Sequence, residues 1–161
     1  MIKKILGVAL CVVALPAAAH AGHGGSIGFL AGLAHPFMGL DHLLAMLGIG
    51  MWSRRQGQSL AMPLTFLALM AAGALLQGAL VVADGWIVAS VLAIGALLMA
   101  ARLPGWAALL AVSLFALLHG QAHGHELPGV ASAAGYLLAS AVLLLAGGLL
   151  LPGKFAPAKV I

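Results

Sequence analysis

The sequence predicts an all-α fold: a polytopic membrane helix bundle of about five transmembrane helices after an N-terminal signal peptide. Three observations predict it. The chain is 64% hydrophobic and 6% charged, where a soluble domain carries about a quarter charged residues. Long apolar stretches alternate with short polar breaks, and the few basic residues sit in alternate breaks. The acidic side chains are Asp41, Asp84 and Glu126, against Lys3, Lys4, Arg54, Arg55, Arg102, Lys154 and Lys159. These cations are scattered singles and pairs, which excludes the clustered basic stripe that nucleic-acid binding requires. Cys11 is the only cysteine and lies near the N-terminus, so disulfides and thiolate ligands are absent from the rest of the chain. Leu10 precedes it where a lipoprotein signal would place a small residue.

Residues 1–21 read as a cleaved signal peptide: Lys3 and Lys4, an apolar run from Ile5 to Leu15, Pro16, then Ala19-His20-Ala21. Ala17-Ala18-Ala19 is a second acceptable site, and an uncleaved signal anchor is the alternative. Residues 22–161 are then a single transmembrane helical domain. A span needs about 20 residues at 1.5 Å rise. Five stretches qualify or nearly do: Ile27 to Met51, Leu60 to Val82, Trp86 to Ala101, Trp106 to Leu118 or a little beyond, and Val130 to Leu151. The third and fourth are short and are expected to tilt. With an exported N-terminus, Arg54 and Arg55, then Arg102, then Lys154 and Lys159 all fall inside, which satisfies the positive-inside rule. The expected location is the bacterial cytoplasmic (inner) membrane, with the mature N-terminus periplasmic and the C-terminus cytoplasmic. Glycines such as Gly28, Gly32, Gly73, Gly78, Gly95 and Gly135 are expected to let helices pack closely.

Ionisable groups inside a membrane helix are costly and point to function. Two clusters stand out: His35-Pro36-Phe37-Met38-Gly39-Leu40-Asp41-His42 in the first span, and His119-Gly120-Gln121-Ala122-His123-Gly124-His125-Glu126 at the external end of the fourth. On one continuous helix His35 and His42 project within about 20° of each other, with Asp41 about 100° away. Asp41 then orients an imidazole from another helix or is brought round by distortion. Pro36 is the expected kink, because its ring frees the carbonyl of Gly32. His119, His123 and Glu126 share a face at i, i+4 and i+7, and Gly120 and Gly124 weaken that helix toward unwound backbone. At 1.5 Å per residue His35 and His119 lie about 7 Å and about 6 Å external to the midplane, on one level. Imidazole and carboxylate suit borderline divalent ions such as nickel, cobalt or zinc. Met38 and Met46 are read as packing. His23 and His125 are candidates for ion capture near the external mouth.

These two segments resemble the HupE/UreJ family of membrane proteins, associated with hydrogenase and urease operons and regarded as nickel or cobalt permeases. The resemblance rests on His35-Pro36, Gly39, Asp41-His42 with Met46, and on His119-Gly120, Ala122-His123-Gly124 and Glu126. It implies a metal-handling role for His35, Asp41, His42, His119, His123 and Glu126. The expected function is a secondary permease, not an enzyme, importing nickel or cobalt as cargo with no permanently bound cofactor. Its expected partners are the divalent ion, the lipid bilayer, and either a second copy or nickel-enzyme maturation proteins. A non-transporting metal-relay or accessory subunit is the alternative. A membrane-embedded metalloenzyme lacks a His-Glu-x-x-His helix here, and a haem carrier with paired axial His would show itself by a Soret band.

Overall fold

The computed structural model describes residues 27–76, 84–99 and 103–150, and over them the regular secondary structure is all α-helix. The signal segment, His23, Arg102 and the C-terminal lysines lie outside the described residues. Six helices follow one another among those described: α1 Phe29–Met38, α2 Leu40–Gln56, α3 Ala61–Leu75, α4 Asp84–Met99, α5 Gly105–Glu126 and α6 Val130–Leu149.

The first expected span is broken. Pro36 is buried inside α1 and does not end it; the chain instead turns at Gly39, whose backbone is extended (φ −102°, ψ 115°). α1 and α2 meet there at 83°. The expected kink at Pro36 is therefore displaced by three residues. Pro36 costs the helix one hydrogen bond, but glycine is the residue that gains least by staying helical, so the weakened turn opens there. Asp41 then falls in the first turn of α2, where a carboxylate faces the positive end of the helix dipole. At its other end α2 stops at Gly57 in the left-handed region (φ 76°), after Arg54 and Arg55 in the last turn. There Gly57 N–H donates to the Arg54 carbonyl at 3.1 Å and Gln58 N–H to the Ser53 carbonyl at 2.9 Å.

The fourth expected span differs in the opposite sense. α5 continues as helix through Gly120 and Gly124 to Glu126, so the His-rich segment is not unwound. Tertiary contact explains why. A methyl on Gly120 would collide with the Met70 carbonyl, and one on Gly124 would stand 2.6 Å from the Ala74 carbonyl. Both glycines are the contact by which α5 lies backbone-close against α3. A second such seam joins α1 to α6, where a side chain at Gly32 or Gly135 would strike the opposing backbone.

By length and apolarity α5 and α6 can each cross a membrane, and the bent α1–α2 pair makes a third if counted as one span. The direction of the chain supports further passes. Gly32 meets Ser132 and Gly50 meets Leu144, so α1 and α2 together run parallel to α6; Gly120 meets Met70 and Gly124 meets Ala74, so α5 runs parallel to α3. Parallel neighbours require the intervening chain to return, and α4 lies between α3 and α5 in sequence. Side-chain polarity is that of a protein dissolved in lipid. Leu110, Leu114, Leu138, Val142 and Leu145 face outward, while Asp41, His42, His119, His123, Ser132 and Ser140 are buried.

Candidate metal centre

The bend at Gly39 decides the site. It carries His42 round at the start of α2 so that its ring lies 5.3 Å, centroid to centroid, from His35 near the end of α1. From α5, His123 completes a triangle, 4.9 Å from His35 and 4.7 Å from His42. One potential ligand nitrogen from each of the three lies within 4.8 Å of the other two. His42 and His123 are buried at 1% and 0% exposure. The triangle is thus held by three separate helices within low-dielectric surroundings.

His119 stands one turn back on α5, 5.6 Å from His42 and 5.9 Å from Phe66. The structure gathers His35, His42 and His123 into one group and sets His119 beside His42. The tautomer of His119 follows from its contact: Nδ1–H donates to the Phe115 carbonyl at 2.9 Å. Its Nε2 is buried and makes no hydrogen bond among the described residues, so a lone pair is presented beside the triangle.

Carboxylates support the triangle at two corners. Asp41 Oδ1 accepts from His42 Nδ1 at 3.2 Å, and Asp41 is 4% exposed. A carboxylate on one imidazole nitrogen orients the ring and raises the basicity of the other, the arrangement found behind metal-bound histidines. Asp41 therefore serves its own neighbour in the chain. At the outer corner Glu126 Oε2 meets His35 Nε2 at 3.1 Å, with side-chain exposures of 30% and 21%. The ring of Tyr136, from α6, stacks on His123 at 4.7 Å and 20°. His125 is exposed on the last turn of α5 and stands outside this group. His23 lies outside the described residues.

Sequence reasoning passed over Tyr136. The signal was present: Ser132, Tyr136 and Ser140 recur at four-residue spacing in an otherwise apolar helix, and Tyr136 is the only tyrosine in the chain. All three are buried.

The donor set is hard and borderline, nitrogen and oxygen without thiolate, and fits a divalent first-row ion. Fold and site together define a multi-pass helical membrane protein with an imidazole cluster enclosed in its bundle. Residues 8–156 match the family described as HupE / UreJ protein, and the chain belongs to it. It is similar to the protein HupE of Rhizobium leguminosarum bv. viciae, 40% identical over 146 residues, covering 84% of this chain and 76% of that one. No solved structure matches it.

Proposed function

We propose that this protein is a secondary permease that carries a divalent transition-metal ion, nickel or cobalt, inward across the cytoplasmic membrane. The observation that supports it best is the convergence of His35, His42 and His123 from three helices, with ligand atoms within 4.8 Å. A dehydrated divalent ion in such surroundings needs both ligands and charge compensation. Three neutral imidazoles supply the first; Asp41 and Glu126, against His42 and His35, supply two negative charges. Glu126, the most exposed member, receives the hydrated ion, the triangle replaces its water, and His119 offers a further nitrogen beyond. A divalent ion moving inward gains about 4.6 kcal/mol per 100 mV, from about 2.3 per elementary charge, which suffices for accumulation without nucleotide hydrolysis.

The test is uptake of radioactive nickel and cobalt into proteoliposomes containing this protein alone, beside His123→Ala, His119→Ala and His125→Ala. Saturable uptake by the parent, lost in His123→Ala, reduced in His119→Ala and kept in His125→Ala, is the expected result. Equal flux in all four would end the proposal. Metal binding without flux would favour a relay subunit acting beside nickel-enzyme maturation proteins.

A further inference from the structure

The buried hydroxyls of α6 are not accounted for by packing. Tyr136 and Ser140 are 1% and 0% exposed, and neither Tyr136 Oη nor Ser140 Oγ makes a hydrogen bond among the described residues. A serine within a helix has an easy remedy, which is to donate to a carbonyl of the preceding turn. Ser53 does so to Gly50 at 2.7 Å, and Ser113 to Leu109 at 2.7 Å. The third polar residue of the stripe, Ser132, accepts from Gly28 N–H at 3.0 Å. Ser140 does not make the bond that Ser53 and Ser113 make, which leaves its buried hydroxyl with donor and acceptor capacity unspent among the described residues.

The two hydroxyls are also well placed. They share one face of α6, four residues apart, which is about 6 Å along the axis. The Tyr136 ring lies on His123 of the triangle. Ser140 falls between the two points where α6 touches the first span, Gly32 against Ser132 and Gly50 against Leu144, hence at the level of the break at Gly39. Glu126 lies at the other side of the group, near the exposed end of α5. From Glu126 inward the polar groups are therefore a carboxylate, the imidazoles with the Tyr136 ring against His123, and then Ser140 one turn further along α6.

Building on the permease reading, we propose that Tyr136 and Ser140 line the exit from the imidazoles, His119 included, holding the water shell of a divalent ion as it rehydrates and leaves. Neutral oxygen donors suit this task. They bind an ion and its water more weakly than imidazole with carboxylate behind it, and a transported ion must be able to leave each station. α6 thereby becomes a third wall of the path, beside the first span and α5.

The test uses purified full-length protein, with Tyr136→Phe, Ser140→Ala and the double variant. Cobalt binding is read by its visible absorption, radioactive cobalt uptake in proteoliposomes, and stability by thermal melting. The expected result is unchanged cobalt absorption and affinity in all variants, with maximal uptake in the double variant reduced about tenfold or more, the equivalent of one lost hydrogen bond to a charged partner. Melting should be unchanged or raised, because removing a buried hydroxyl that lacks a partner does not weaken a fold. A purely structural role would lower melting and uptake together, and that result overturns the proposal. So does parent-like uptake in the double variant, or an altered cobalt spectrum, which would make the hydroxyls ligands of the triangle itself. If the parent binds no cobalt and shows no uptake, the permease reading fails, and this step with it.

Discussion

His42 carries the largest share of the site's geometry. It touches Asp41, faces His35 and His123 within 5.3 Å and 4.7 Å, and stands 5.6 Å from His119. Removing the Asp41 charge while keeping its shape isolates that support. Asp41→Asn should weaken cobalt affinity by about 10–100-fold, as expected for loss of the group behind a metal-bound imidazole. His123→Ala, which removes a ligand outright, should weaken it further; titration of cobalt absorption measures both, and equal affinity in parent and His123→Ala would remove His123 from the ligand set. Gly39 gives a finer probe. Its extended backbone is open to any residue, but a methyl there would stand 2.7 Å from Asp41 Oδ1 and 3.2 Å from His42 Nδ1. Gly39→Ala should therefore lower cobalt affinity through the Asp41–His42 pair while thermal melting stays near that of the parent.

Helices in lipid associate without a hydrophobic force between them, so their separation is set by which side chains stand in the contact. α3 and α5 approach at Gly120 and α1 and α6 at Gly32 and Gly135, each with room for no side chain. Gly120 sits between His119 and the turn bearing His123, so any widening of that seam also displaces both rings. Gly120→Val should cost about 1–3 kcal/mol as overpacking and abolish cobalt binding, read by melting and titration on the same sample. By sequence alone these glycines predict an unwound segment, because glycine weakens an isolated helix by about 1 kcal/mol relative to alanine. Packing against Met70 and Ala74 reverses that inference: the propensity of one helix was legible, its contact with another was not. The break at Gly39 has a related lesson: Pro36 marks the weakened turn in the sequence, and the structure opens it three residues later, at the glycine.

Among the described residues the bundle buries Asp41, His42, His119 and His123 with a core that includes Trp52 and Phe66, while Leu30, Leu64, Trp106 and Leu138 turn outward. A ligand that ties three of its helices together must stabilise it. Cobalt at about a hundred times its dissociation constant should add about 2.7 kcal/mol, seen as a raised melting temperature in the parent and no rise in His123→Ala. An unchanged parent melting point under saturating cobalt would argue that the triangle does not hold the ion. The expected topology, five passes from an exported N-terminus, would place the C-terminus in the cytoplasm; a fluorescent protein fused after Ile161 should then fluoresce and an export-dependent phosphatase fused there should be inactive, and the reverse result would overturn that topology.

Sequence by itself determined the solvent, the helical class and the family, because these depend on composition, spacing and motifs that need no partner to be read. It also identified the nitrogen and oxygen groups whose burial demands a reason. Only the tertiary structure decided which imidazoles meet. A ring's position depends on where the first span breaks, how far α5 stays helical and how closely glycine lets the helices approach, and each of those is settled by contacts between segments remote in the chain. Tyr136 and Ser140 acquire meaning the same way: as letters they are two polar residues in an apolar helix, and as positions one lies against His123 and the other a turn further on, with hydroxyls that no group among the described residues engages.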